Sequence, residues 1–206
     1  MRLTRFGHAC VRLDTDQGSL AIDPGVYSDP AALDGVDAVF ITHQHADHCN
    51  EAELRRLLND RPGTRLYGPT AVAETLMDLP VSVVSEGDAV PEAGTEVKVL
   101  GRHHAVVLPD LPRVPNVGYL VDGVFHPGDA FTVPDFPIRL LLAPVAAPWS
   151  KIAEVVDYLR AVDAPAVIPI HDASLSDIGL ATVDRRLEHL FRGAYRRLPD
   201  GQALTI

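Results

Sequence analysis

No run of apolar residues in this chain of 206 residues approaches the length of a membrane span. The opening stretch, Met1-Arg2-Leu3-Thr4-Arg5-Phe6, also lacks the apolar centre of a signal peptide. The expectation is a soluble, cytoplasmic protein with no membrane partner. Cysteine is scarce as well: Cys10 and Cys49 are too few for a disulfide framework. Cys10 reads as a small core residue of a strand. Cys49 abuts a histidine cluster but reads as a packing residue at a helix start. Positive charge is in deficit, with 18 Lys and Arg against 28 Asp and Glu and a net charge of -10. A field of that sign repels polyanions, which argues against a nucleic-acid partner. A small phosphorylated substrate stays open, because a bound metal ion reverses the sign locally. Repeats, low-complexity tracts and linkers are missing too, so one domain over 1–206 is expected.

What the chain does have is apolar material, 47% of its residues, enough for a sizeable core. Phe6 to Leu13 alternates roughly as a strand does, and Asp16-Gln17-Gly18-Ser19 reads as a hairpin turn. Leu20-Ala21-Ile22 is a short strand ended by Asp23-Pro24-Gly25. Asp37 to Thr42 is a continuous apolar run, the pattern of a strand buried on both faces. Asn50 is placed to cap a helix, with Glu53 as its capping-box partner and Leu54, Leu57 and Leu58 as the apolar face. Arg65 to Gly68 then reads as a strand and Ala71 to Met77 as a helix. Between Val81 and Val124 the segments VSVV, EVKVL, AVVL and GYLV read as strands, around an ordered proline-rich loop at Pro109 to Pro115. Leu140 to Val145 is a further buried strand. Ser150 is placed to cap a helix whose Ile152, Val155, Val156 and Leu159 fall at helical spacing. Ala166 to Ile170 is a strand, Thr182 to Phe191 a helix, and Ala203 to Ile206 a closing strand. Two sheets flanked by helices, an α/β fold, account for that order.

The densest chemistry lies in Thr42-His43-Gln44-His45-Ala46-Asp47-His48. Three histidines and an aspartate stand within six residues, directly after a buried strand. His43 and His45 are two apart, so on extended backbone they face the same way. Asp47 and His48 come where the chain turns toward a helix and can aim at a second point nearby. Imidazole and carboxylate suit Zn²⁺, Fe²⁺ or Mn²⁺. A solvated histidine-rich loop is the plainer alternative, but four such groups at one strand end point to a metal or catalytic site.

Three later positions repeat the pattern. His103 and His104 follow Gly101 at a strand end. Asp129 stands in His126-Pro127-Gly128-Asp129 after GYLVDGVFH, and His171 ends AVIPI. Open α/β architectures gather their sites where strands run out. Each residue alone reads as an ordinary polar position. Together with the first cluster they complete two coordination spheres.

In these residues the sequence resembles the metallo-β-lactamase superfamily, whose HxHxDH signature corresponds to His43 to His48. His104, Asp129 and His171 match its later motif positions in order, and Asp23 matches an early structural aspartate. The Phe6-Gly7-His8 start, Asp129 and the small size resemble the bacterial branch that includes ascorbate-phosphate lactonase. The resemblance implies a four-layer αβ/βα sandwich with the site at one edge between the sheets. It implies two divalent ions, zinc first, with manganese, iron or nickel permitted. His43, His45 and His104 would hold one ion and Asp47, His48 and His171 the other, with Asp129 bridging. Of the adjacent pair only one imidazole should bind, because neighbours on a strand point to opposite sides, and the family spacing favours His104. The resemblance implies Asp47 and Asp129 as the catalytic carboxylates, Asp47 as the group that would steer the proton of the attacking water. Asp23 and His8 are candidates to orient the ligands, His126 a weaker one; His8 reads equally well as a core histidine satisfied by backbone.

The implied activity is a metal-dependent hydrolase acting on a small ester, lactone or phosphoester. A nucleotide phosphodiesterase or nuclease is the alternative, against which the acidic balance and the lack of a basic arm count. A non-hydrolytic metal-binding or redox protein is another, weakened by the absence of an attached redox domain. Substrate contacts fall to the loop Pro109 to Pro115 with Arg113, and to Pro148-Trp149-Ser150-Lys151. Arg113 or Lys151 could hold a phosphate or carboxylate, or each could be a solvated surface cation.

Overall fold

The computed structural model describes residues 1–206 and contains two seven-stranded sheets. The first is built from β1 (Arg2–Arg5), β2 (Val11–Thr15), β3 (Gly18–Ile22), β4 (Ala38–Phe40), β5 (Arg65–Gly68), β6 (Val81–Val83) and the C-terminal β14 (Ala203–Thr205). Its order is β14-β1-β2-β3-β4-β5-β6. The second contains β7 (Ala89–Glu92), β8 (Thr95–Leu100), β9 (Gly118–Val121), β10 (Val124–His126), β11 (Leu140–Pro144), β12 (Ala166–Ile170) and β13 (Ala194–Tyr195), in the order β13-β12-β11-β10-β9-β8-β7. Antiparallel pairs such as β2–β3 and β7–β8 are hairpins, whereas the parallel pairs β4–β5 and β11–β12 are joined by crossovers that contain the helices Glu51–Asp60 and Ile152–Val162.

Strand alternation decides the layers. Leu13, Leu20, Ile22 and Phe40 of the first sheet meet Val97, Val99, Tyr119, Leu142 and Ile168 of the second in one buried cluster between the sheets. Residues one position away face outward: Ala21, Val39 and Leu66 pack against Leu54 and Leu57 of α1 (Glu51–Asp60) and Val72 of α2 (Thr70–Thr75). Leu141, Ala143 and Val167 pack likewise against Val155, Val156 and Leu159 of α3 (Ile152–Val162) and Leu187 of α4 (Asp177–Leu190). The result is helix, sheet, sheet, helix, the four-layer sandwich expected. Truncating a fully buried residue such as Leu54 to Ala would cost about 2–5 kcal/mol.

Several local expectations need correction. Phe6 to Leu13 is not one strand: the chain turns between β1 and β2, with Phe6 N–H donating to Cys10 O at 2.9 Å and Cys10 N–H to Gly7 O at 2.8 Å. GYLVDGVFH is a hairpin, β9 and β10, folded at Asp122 and Gly123. The segment AVVL (105–108) is a loop with no strand partner. Asn50 does cap α1, accepting from Glu53 N–H at 3.4 Å, but the Glu53 side chain turns to Arg56. Ser150 does not cap α3; Lys151 holds that position, and its N–H donates to Glu154 at 2.8 Å. The last helix starts earlier, at Asp177, capped by Ser176. Strands β7 and β13 were not anticipated. No helix is long and apolar enough to cross a membrane.

Candidate metal centre

The centre grows from the ends of β3 and β4, which pair in parallel and deliver Asp23 and Thr42 side by side. Asp23, fully buried, accepts from Thr42 N–H and from the Thr42 hydroxyl, both at 2.7 Å, and its Oδ2 lies 2.7 Å from His48 Nδ1. A carboxylate can only accept, so His48 Nδ1 keeps a proton for Asp23 and Nε2 is the nitrogen turned to the centre, free to ligate once its own proton leaves. The Thr42 hydroxyl, having given its proton to Asp23, accepts from His43 Nδ1 at 3.0 Å, which leaves His43 Nε2 bare in turn. One buried carboxylate therefore orients two imidazoles.

The second sheet supplies the rest in the same way. His104 Nδ1 lies 2.6 Å from the Ala105 carbonyl and His171 Nδ1 2.7 Å from the Ala146 carbonyl. Carbonyls also only accept, so both rings keep the Nδ1 proton and turn Nε2 to the centre. Asp129, at the end of the β10 turn, is met by His48 Nε2 at 3.1 Å, His171 Nε2 at 3.1 Å and His104 Nε2 at 3.3 Å. Despite these approaches, His48 Nε2, His104 Nε2, His171 Nε2 and Asp129 Oδ1 are buried without a hydrogen-bond partner. Buried polar atoms are seldom left so, and each costs about 1–3 kcal/mol. Three such imidazole nitrogens gathered around Asp129, whose Oδ1 is equally unpartnered, fit metal binding.

The donor atoms fall into overlapping groups: His43, His45 and His104; His8, Asp47, His48 and His171; and His43, His48 and Asp129. Burial lowers the pKa of His43 well below its ordinary value, and burial with neighbouring His104 lowers that of His45, so both rings are neutral donors near pH 7. Burial would raise the Asp47 pKa, but His171, His8 and His48 outweigh it and keep the carboxyl ionised far below the usual carboxylate range. Burial opposes the charge on Asp129 as well, yet His48, His104 and His171 hold its pKa well down.

The other candidates separate. His8 accepts Ala173 N–H on Nδ1 at 3.2 Å, so its Nε2 carries the proton and points to Asp47 Oδ2 at 3.3 Å. It is both backbone-satisfied and in contact with a ligand-type carboxylate. His126 is saturated by backbone: Nε2 donates to Ala9 O at 2.8 Å and Nδ1 accepts from Gly128 N–H at 3.1 Å. It packs behind Asp23 and offers nothing to the centre. His103 is exposed and His104 buried, as their opposite facing requires. Lys151 is an exposed helix-capping position. Burial raises the Cys49 thiol to about 12, so it packs as an unreactive residue.

Three contributors were not anticipated. Trp149, read only as a substrate contact, donates its indole N–H to Asp129 Oδ2 at 3.0 Å. Asn116 accepts Asp129 N–H on Oδ1 at 3.0 Å and donates to Pro127 O at 2.9 Å, bracing the turn that carries Asp129. Asp172, next to His171, is gripped by Arg5 and Arg197. Only the Asn116 role leaves a sequence signal, a lone polar residue before the apolar run of β9. Half of the six non-glycine residues with positive φ are His8, Asp23 and His171. Strain of this kind persists where surrounding structure enforces it, and here it rings the centre. Gly25 belongs to the same packing, because a Cβ there would lie 1.8 Å from the Asp47 carbonyl oxygen.

A family model described as a beta-lactamase superfamily domain matches residues 2–171. The chain belongs to the beta-lactamase superfamily of metal-dependent hydrolases. Among its relatives in the superfamily, Protein Rv0786c of Mycobacterium tuberculosis is 38% identical over the full length of both chains. The UPF0173 metal-dependent hydrolase MK1542 of Methanopyrus kandleri is 26% identical, over 83% of this chain and 84% of its own. The metallo-beta-lactamase fold protein YhfI of Bacillus subtilis superposes with a TM-score of 0.75 over 98% of each chain at 16% identity, a likeness of fold.

Proposed function

We propose that this superfamily member hydrolyses a small ester, lactone or phosphoester at a dinuclear metal centre within one domain spanning 1–206. The observation that carries the reading is the convergence of His48 Nε2, His104 Nε2, His171 Nε2 and Asp129 Oδ1, buried and unpartnered. The donor groups support His43, His45 and His104 around one ion and Asp47, His48 and His171 around the other, with Asp129 between them. Zinc suits this histidine and aspartate set best, and manganese, iron and nickel are compatible with it. Divalent ions there would supply electrophilic activation of a carbonyl or phosphoryl oxygen and acidify a water molecule.

The protein's own groups do the remainder. Asp47 is the most exposed carboxylate of the cluster, at 28% of its side chain, and is therefore the one that water can reach. Ionised and held by His8, it accepts a hydrogen bond from the attacking water and steers its proton toward the leaving group. Trp149 fixes the Asp129 carboxylate in one orientation, and the carbonyls of Ala105 and Ala146 fix two imidazoles. Such preorganisation spares reorganisation during the reaction. The test is elemental analysis of gently purified protein with a screen of phosphodiesters, lactones and esters. About two metal equivalents and turnover that chelation abolishes are expected. Failure to take up any transition metal, even on reconstitution, would overturn the reading.

A further inference from the structure

Four of the thirteen large hydrophobic residues exposed on this protein lie within six positions of one another: Val106, Val107, Leu108 and Leu111. They do not form a strand, although their composition suits one. The backbone on either side is zipped together, with His104 N–H donating to Val114 O at 3.0 Å and Asn116 N–H to Arg102 O at 3.1 Å. A turn closes the loop where Leu111 N–H donates to Leu108 O at 3.1 Å. Pro109, Pro112 and Pro115 restrict the backbone, so the loop loses less freedom on being held. Ala105 N–H, donating to the Asp129 carbonyl at 2.8 Å, ties its root to the metal centre.

Within the loop is a cavity of about 270 Å³ whose inner wall is His45 and His104 and whose remaining lining is mostly aliphatic. A cavity of roughly 150 Å³ with aliphatic walls takes benzene, so this one has room for a phenyl ring or a short alkyl chain. Its one cation is already engaged: Arg113 donates through Nε and Nη2 to the His104 carbonyl at 3.2 and 3.1 Å. Arg113 therefore acts as a strut between the loop and a candidate ligand. No carboxylate lines the cavity. Exposed apolar surface continuous with a reactive centre marks a ligand site.

We propose that this cavity is the acyl subsite: it takes the uncharged aliphatic or aromatic group beside the scissile carbonyl and selects carboxylic esters, lactones or thioesters of hydrophobic acids over phosphoesters. The proposal rests on the hydrolytic reading above and adds the substrate class to it. The occupant is a small apolar group because the cavity opens onto His45 and His104, where the reacting bond must sit.

Two measurements on the full chain test it. In the first, metal-free protein with labelled methyl groups is titrated with octanamide and with acetamide, neither of which carries a carboxylate to ligate metal. Octanamide should shift the methyl resonances of Val106, Val107, Leu108 and Leu111 saturably, and acetamide should not. In the second, metal-loaded protein is assayed on p-nitrophenyl esters from acetate to octanoate. Each added methylene should raise kcat/KM about twofold to threefold, somewhat under full burial of a methylene because the cavity is open on one side. Leu108→Ser with Leu111→Ser should flatten that series and weaken octanamide binding, whereas Met77→Gln, at an exposed apolar site elsewhere, should change neither. If no ester is turned over while octanamide still shifts those methyls, the hydrolytic reading falls and the apolar subsite stands. If octanamide leaves the methyls unmoved, the subsite is overturned whatever the protein hydrolyses. Methyl shifts that follow protein dilution and not octanamide would assign the face to a second copy of the chain and also overturn it.

Discussion

Asp23 Oδ2 lies 2.7 Å from His48 Nδ1, and both side chains are fully buried. That contact decides which nitrogen of His48 keeps its proton when metal binds and which faces Asp129. The same carboxylate accepts both Thr42 donors, and through the Thr42 hydroxyl it also governs His43. Replacing it by Asn keeps the shape but sets an N–H₂ against groups that need an acceptor. Asp23→Asn should weaken metal binding about 10- to 100-fold, the usual effect of removing an orienting partner. Competition against a chromophoric chelator measures this; an unchanged affinity would show that His48 is oriented without Asp23.

His104 and His103 are adjacent, one buried and one exposed. His104→Ala should remove a ligand and lower metal affinity by orders of magnitude. His103→Ala should change it by less than about threefold, as for a surface substitution away from any site. Metal stoichiometry after dialysis separates the two. A reversed order of effects would move the third motif by one residue.

Trp149 is the single tryptophan of the chain, and its indole N–H holds Asp129. Trp149→Phe retains a ring but leaves Asp129 Oδ2 without its donor. A hydrogen bond to a charged group contributes about 1.5–3 kcal/mol, so kcat should fall roughly 10- to 100-fold while the circular dichroism spectrum stays unchanged. The same residue gives a direct readout, since metal addition to the wild-type protein should alter its fluorescence. A silent titration alongside demonstrable metal uptake would place Asp129 and its ion out of contact with the indole.

Burial disfavours a charged His171, but Asp129 and Asp47 outweigh it and raise its pKa to about 9 in the metal-free protein. Burial likewise opposes the charge on His48, and Asp129 and Asp23 carry its pKa well above the ordinary value. Both rings therefore hold a proton at pH 7 that a metal must displace. Metal affinity should rise as pH climbs from 6 toward 9 and level off beyond. Calorimetry in buffers of different ionisation enthalpy should register about one to two protons released near neutrality. The sign for stability follows. A raised pKa stabilises the metal-free fold fully below the ordinary value of about 6.5 and ceases to do so as pH rises through about 9. Thermal melts of metal-free protein should fall across that window. Proton release that is absent or reversed would contradict the pairing.

What is legible along the chain depends on near neighbours. The strand before Thr42, the parity that splits His103 from His104 and the donor types at four strand ends are all local patterns. The layers are not, because Asp37 to Thr42 is apolar throughout and only the fold puts Phe40 on one side of its sheet and Val39 on the other. What depends on partners far along the chain emerges only once the chain is folded. Which nitrogen of each imidazole faces the centre follows from Asp23 for His48 and from Ala146 for His171, and neither pairing leaves a trace in spacing. Trp149 reaches Asp129 across 20 positions, so an indole that reads as a substrate contact becomes a brace for a carboxylate. Residues 105–108 carry the apolar, β-branched composition of a strand and yet line a cavity. Composition records a preference to leave water, and only pairing in three dimensions decides whether a neighbouring strand or an open pocket meets it.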